Sequence, residues 1–66
     1  MRNKELEDVI YNYIKDNEDD AIDSVDIVHA FPKYAAEFVL LAINYLRTNK
    51  RIRRVEIGIH YKYITL

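Results

Sequence analysis

The sequence predicts an α+β fold, three helices followed by a two-stranded hairpin. Two observations carry that expectation. Apolar residues recur at helical spacing through the first two-thirds of the chain, then switch to every second residue near its end. A single proline and a single glycine stand where that pattern breaks, Pro32 between two helical stretches and Gly58 inside the alternating one.

The first helix is expected from Asn3 to about Asp16. Leu6, Val9, Ile10, Tyr13 and Ile14 fall on one face. Asn3 suits the N-cap, and Glu5, Glu7 and Asp8 suit the positive end of the helix dipole. Tyr11 points away from the apolar stripe. Residues 16–20 read as a polar acidic loop. They lack the alternating ligands, central glycine and closing glutamate of a calcium loop.

The second helix begins with a capping-box variant, Asp23 with Asp26 three residues on, and Ile22 and Ile27 stand where a hydrophobic staple would close. Val25, Ile27, Val28 and Phe31 would supply its apolar contacts, and Ile22 a minimal strand before it. Pro32 ends the helix, since it has no N–H and disfavours helix in Phe31. The same residue suits the first turn of a third helix running to about Thr48. Steps of about 100° per residue place Ala35, Phe38, Val39, Ala42 and Leu46 on that helix's buried stripe. Lys33, Glu37, Leu40, Asn44 and Arg47 then lie opposite, with Tyr34 and Leu41 at the border.

Beyond it Val55, Ile57, Ile59, Tyr61 and Tyr63 alternate. Strands near residues 52–57 and 61–65 are expected, joined by a three-residue loop Gly58-Ile59-His60 that pairs Glu56 with Lys62 and Val55 with Tyr63. Tyr61 and Tyr63 would share the core-facing side with Val55 and Ile57, which favours packing over base stacking.

Composition narrows the functions. Sixty-six residues make one domain, residues 1–66, with a core worth of order 3–5 kcal/mol. There is no cysteine, so disulfides and thiolate metal sites are excluded. No apolar run reaches the roughly 20 residues of a membrane span, and the start lacks the apolar region of a signal peptide. A cytoplasmic location is the expectation. The lone serine, Ser24, sits at a helix start where capping explains it. His29 and His60 have no thiolate partners, and no phosphate loop or catalytic motif is present. A binding module is therefore expected rather than an enzyme, with no cofactor and no metal.

Charge is strongly divided. Residues 1–31 hold nine acids and three bases, whereas residues 32–66 hold two acids and seven bases. Arg47, Lys50, Arg51, Arg53 and Arg54 crowd one stretch, a pattern of nucleic-acid contact or of attraction between the halves.

Three stretches, Ser24-Val25-Asp26-Ile27-Val28-His29-Ala30-Phe31, then Pro32-Lys33-Tyr34-Ala35-Ala36-Glu37-Phe38-Val39, then Leu46-Arg47-Thr48-Asn49-Lys50-Arg51-Ile52-Arg53-Arg54-Val55, together resemble the winged helix-turn-helix superfamily. The resemblance covers about residues 4–65 and rests on residue classes, so it selects no subfamily. It implies a DNA-binding transcriptional regulator whose third helix enters the major groove while the hairpin wing touches the backbone. Lys33, Tyr34, Glu37 and Asn44 would then face bases, and Arg47, Lys50, Arg51, Arg53, Arg54 and Lys62 phosphates. Double-stranded DNA would be the partner and a homodimer the working form. The third helix offers few base-reading side chains, and Glu37 would repel phosphate. An alternative follows, a winged-helix module that binds a protein partner of a transcription or replication complex through Tyr34, Leu40 and Leu41.

Overall fold

The computed structural model describes residues 3–66. Three helices, α1 (Lys4–Asp16), α2 (Ser24–Ala30) and α3 (Ala36–Thr48), precede two strands, β1 (Ile52–Ile57) and β2 (His60–Thr65), which form an antiparallel hairpin. This is the expected α+β arrangement, with a layout consistent with a winged helix. Among the described residues no helix is long and apolar enough to cross a membrane.

Local grammar sets the helix ends. Asn3 Oδ1 accepts from the Leu6 N–H at 3.0 Å and starts α1. At the other end the Asn17 backbone and side-chain amides bond the carbonyls of Ile14 and Tyr13. Asp23 and Asp26 each accept the other's backbone N–H, a complete capping box. Ile22 forms no strand. Its carbonyl takes one hydrogen bond from the Tyr63 N–H, which ties the entry of α2 to β2.

The third helix starts later than Pro32. The Tyr34 N–H bonds the Phe31 carbonyl, so Pro32 occupies the second position of a turn, where its fixed φ is equally favourable. Ala35 then caps α3 without a side-chain bond.

The end of α3 is a Schellman turn. Lys50 N–H bonds the Arg47 carbonyl, Arg51 N–H bonds the Leu46 carbonyl, and Lys50 has φ 59°. Glycine is the usual residue in this left-handed position, and a lysine there costs of order 1 kcal/mol. The turn delivers the chain straight into β1.

The hairpin differs from expectation by one register step. Gly58 and Ile59 alone make the loop, and the partners are Val55 with Lys62, Glu56 with Tyr61 and Arg54 with Tyr63. Gly58 has φ 62° and Ile59 has no positive φ, the pattern of a type II′ turn, which matches strand twist. A one-residue shift exchanges the faces on which cross-strand partners meet. Tyr61 and Tyr63 therefore share a face with Ile52 and Arg54. Val55 and Ile57 lie on the other face, where Ile57 is exposed.

The core joins Leu6, Ile10 and Ile14 of α1 to Ile27 of α2, to Val39, Ala42, Ile43 and Leu46 of α3, and to Ile52 and Tyr63 of the hairpin. Its stripe on α3 is rotated from the expected one. Ile43 is buried, whereas Ala35 and Phe38 are exposed, Phe38 by 51%. Moving the start of α3 to Ala36 takes Ala35 off the helix. The helix packs against α1, α2 and β1 with Ile43 turned inward. Val9 and Val25 are likewise exposed, and Glu7, read as a solvated first-turn acid, is buried at 1%.

The acidic loop is a structural joint. The Glu18 carboxylate accepts from both the backbone N–H and the hydroxyl of Thr65, and its carbonyl accepts from Lys62 Nζ at 3.0 Å.

Two predictions follow from this packing. Leu46→Ala should cost about 2–5 kcal/mol, enough to unfold most of the protein, while Phe38→Ala at low micromolar concentration should cost under about 1 kcal/mol. Circular-dichroism melts distinguish them, and equal losses would contradict the rotated stripe. The Thr65 hydrogen bonds hold the Glu18 carboxyl below its ordinary pKa of 4.5. A lowered folded pKa stabilises above the unfolded value and loses that stability as pH falls. The Tm gap between the parent protein and Glu18→Gln should thus be open at neutral pH and close on acidification below 4.5. A gap independent of pH would show that the carboxylate charge is not what holds Thr65.

Candidate nucleic-acid interface

The C-terminal half of α3 and the first residues of β1, joined by the Schellman turn, enclose a groove of about 380 Å³. Asn44, Arg47 and Thr48 line it from the helix, and Ile52, Arg53 and Arg54 from the strand. Ile52 is buried and anchors the strand on the core. Arg47 occupies the last turn of α3, where the carbonyl ends of the helix favour a cation. Neither Arg47 nor Arg53 belongs to an ion pair among the described residues.

Arg54 is held from behind. Its guanidinium lies 4.3 Å from the Tyr61 ring centroid, and its Nη2 lies 3.8 Å from Glu56 Oε1. The Tyr61 hydroxyl is 2.9 Å from Ser24 Oγ, and its ring meets Tyr63 edge to face at 5.7 Å. Ser24 thus joins α2 to the hairpin, and Asp23 performs the capping expected of it. Burial, with a smaller effect from adjacent Tyr61, raises the Tyr63 phenol above its ordinary pKa and keeps it neutral. The stack limits the rotamers of Arg54 while leaving its side chain 42% exposed.

The other expected contacts are dispersed. Arg51 turns to α1, where it pairs with Asp8 at 3.3 Å and lies 4.5 Å from the Tyr11 ring centroid. Tyr11, expected to point away from the apolar stripe of α1, is partly buried beneath Arg51. Lys62 is bonded to the Glu18 carbonyl. Lys50 is exposed in its left-handed turn next to the groove, whereas Lys33 lies in the turn before α3 and Glu37 in the first turn of α3. The structure brings Asn44, Arg47, Arg53 and Arg54 together. It leaves Lys33, Tyr34 and Glu37 at the far end of α3 and gives Arg51 and Lys62 intramolecular partners.

The residues considered for a protein interface divide between two hollows. Tyr34 and Leu41 join Asn3, Phe38, Ala42 and Tyr45 around an apolar groove of about 280 Å³ beside the start of α1. Leu40 instead lines a shallower hollow between α2 and α3, with Val25, Val28 and Ala36. Phe38 is the residue the sequence reading missed. Its apolar side chain at the edge of the helical stripe gave no local signal that it would be exposed. Among the described residues no cluster of histidine and acidic side chains could hold a metal ion. His29 and His60 are both exposed.

The chain matches no protein-family model, and no curated protein or solved structure proves similar to it.

Proposed function

We propose that this protein is a winged helix-turn-helix DNA-binding protein of transcriptional regulation, working in the cytoplasm and gripping the duplex through the groove between α3 and β1. One observation carries the reading: Arg47, Arg53 and Arg54 all line one groove, together with Asn44. Cations placed on phosphates release condensed counterions, the main source of affinity for duplex DNA. Arginine forks suit phosphate oxygens, and Asn44 is the one side chain there suited to adenine. The N-terminal half of α3 offers Glu37 and Phe38 instead. Backbone contacts therefore supply most of the affinity, with little sequence discrimination.

Lys50 supports this reading. A lysine where glycine is favoured costs stability, and the position sets a cation next to Arg47 and Arg53 in sequence and turn. Strain of this kind is concentrated at functional positions. The exposed Phe38 favours a second reading, a module whose partner is a protein bound at the apolar groove.

The test is fluorescence anisotropy with a labelled duplex of about 25 base pairs over a salt series. Three or four phosphate contacts should give a log–log slope of about −3, at roughly −0.9 per phosphate. Arg47→Ala with Arg53→Ala should reduce its magnitude by about 2. The absence of binding by folded protein at about 50 mM salt would remove the DNA reading. Lys50→Gly should raise stability by about 0.5–1 kcal/mol and yet weaken DNA binding, as seen by pairing denaturation with anisotropy. Unchanged affinity would remove Lys50 from the interface.

A further inference from the structure

One edge of the hairpin is covered and the other is open. We propose that the open edge, along β1, takes an extended acidic peptide as a third strand, seated in the cationic groove.

The first observation is the hydrogen-bond pattern. In an antiparallel pair, residues bonded to the partner strand alternate with residues whose main-chain groups point away from it. The Tyr63 N–H points away from β1, to the Ile22 carbonyl. Its cross-strand partner Arg54 therefore points its own N–H and carbonyl to the opposite side, and by the same alternation so does Glu56. On β2 the outward amides are covered, Tyr63 by Ile22 and Thr65 by the Glu18 carboxylate. Among the described residues nothing bonds the outward amides of Arg54 and Glu56. Donors and acceptors alternating along a strand edge fit another extended chain.

The second observation is position. Ile52, Arg53 and Arg54 line the cationic groove; they belong to both faces of β1, and no residue of β2 joins them. The groove therefore runs along the open edge, with the last turns of α3 as its far wall.

The third observation is the chemistry of the flanks. Side chains of an added strand would alternate between two faces. On the face away from Tyr63 stand Arg53, Val55 and Ile57. Arg53 is exposed and belongs to no ion pair among the described residues, and Ile57 is 48% exposed. A carboxylate beside Arg53, with apolar side chains beside Val55 and Ile57, matches them at every second residue. Arg47 across the groove is likewise without an ion pair, and no acid lines the groove. Charge thus selects an acidic segment. Glu56, on the other face, is already engaged by Arg54.

A two-stranded hairpin is a marginal sheet, and a third strand would complete it. A peptide seated there would also keep a duplex off Arg47 and Arg53. Its binding does not depend on the DNA reading and is tested without DNA.

The probe is the capped peptide Glu-Thr-Val-Thr-Val-Thr-Glu, whose pattern is the same in either strand direction. Titrated into isotope-labelled protein, it should bind with a dissociation constant on the order of 100 µM, the weak range of a few main-chain hydrogen bonds. The amides of Arg54 and Glu56 should shift and gain protection from hydrogen exchange, a measurement that needs no variant to fold. Arg53→Glu should weaken binding about tenfold or more. Proline in place of the central threonine of the peptide removes a main-chain donor and should do the same. The absence of saturable binding by folded protein, or shifts centred on residues away from β1, would overturn the proposal. Equal affinity for the proline peptide would overturn it too, because charge attraction alone would then account for the binding.

Discussion

Val39, Ala42, Ile43 and Leu46 form one row on α3, and α1, α2 and β1 all pack onto that helix. Burying this row is the constraint the remaining structure satisfies. It requires α3 to turn Ile43 inward, which turns Phe38 outward. It requires the chain to leave α3 sharply enough for Ile52 to reach the same core, which the left-handed Lys50 accomplishes. The cationic groove follows, because Arg47 and Arg53 stand on either side of that turn. A core of so few side chains has little slack, so each surface feature is a direct consequence of how this helix is rotated.

Features encoded within four residues were legible in the sequence. The Asn3 cap, the Asp23 and Asp26 box and the helical role of Leu6, Ile10 and Ile14 each depend on neighbours along the chain. The hairpin was legible as strands but not in register, since Gly58 serves a two-residue or a three-residue loop and only the choice between them sets the partners. Phe38 was misplaced because a helical period does not say which edge of an apolar stripe is covered. Phe38 and Ile43 flank the row of Val39, Ala42 and Leu46 on opposite sides, and only the packing of the other elements decides which flank is covered. The ties of Glu18 to Thr65 and of Arg51 to Asp8 and Tyr11 had no local signal, because their partners are 40 to 47 residues apart.

These distant ties also recast the charge asymmetry. The acidic first half and basic second half do attract one another, through Asp8 with Arg51 and through the Glu18 loop with Lys62. That attraction engages Arg51 of the basic stretch and leaves Arg47, Lys50 and Arg53 exposed, with Arg54 stacked on Tyr61. Intramolecular pairing thus engages some of these cations and leaves their neighbours exposed. Surface pairs of this kind contribute little to stability, about 0–1 kcal/mol each. Their larger effect is to decide which cations remain available.

The bond between Glu18 and Thr65 has a consequence for the order of folding. It spans 47 residues, and closing a loop of that length is entropically costly until intervening structure has shortened it. Helix α1 can nucleate from its own cap, whereas the loop behind it acquires its partner only when β2 is in place. A ribosome releasing this chain would expose α1, the acidic loop and α2 well before either strand exists to hold them. The hairpin is therefore the clasp that closes the molecule, and the half-made chain lacks it until synthesis has passed Gly58 and Ile59 and β2 can pair.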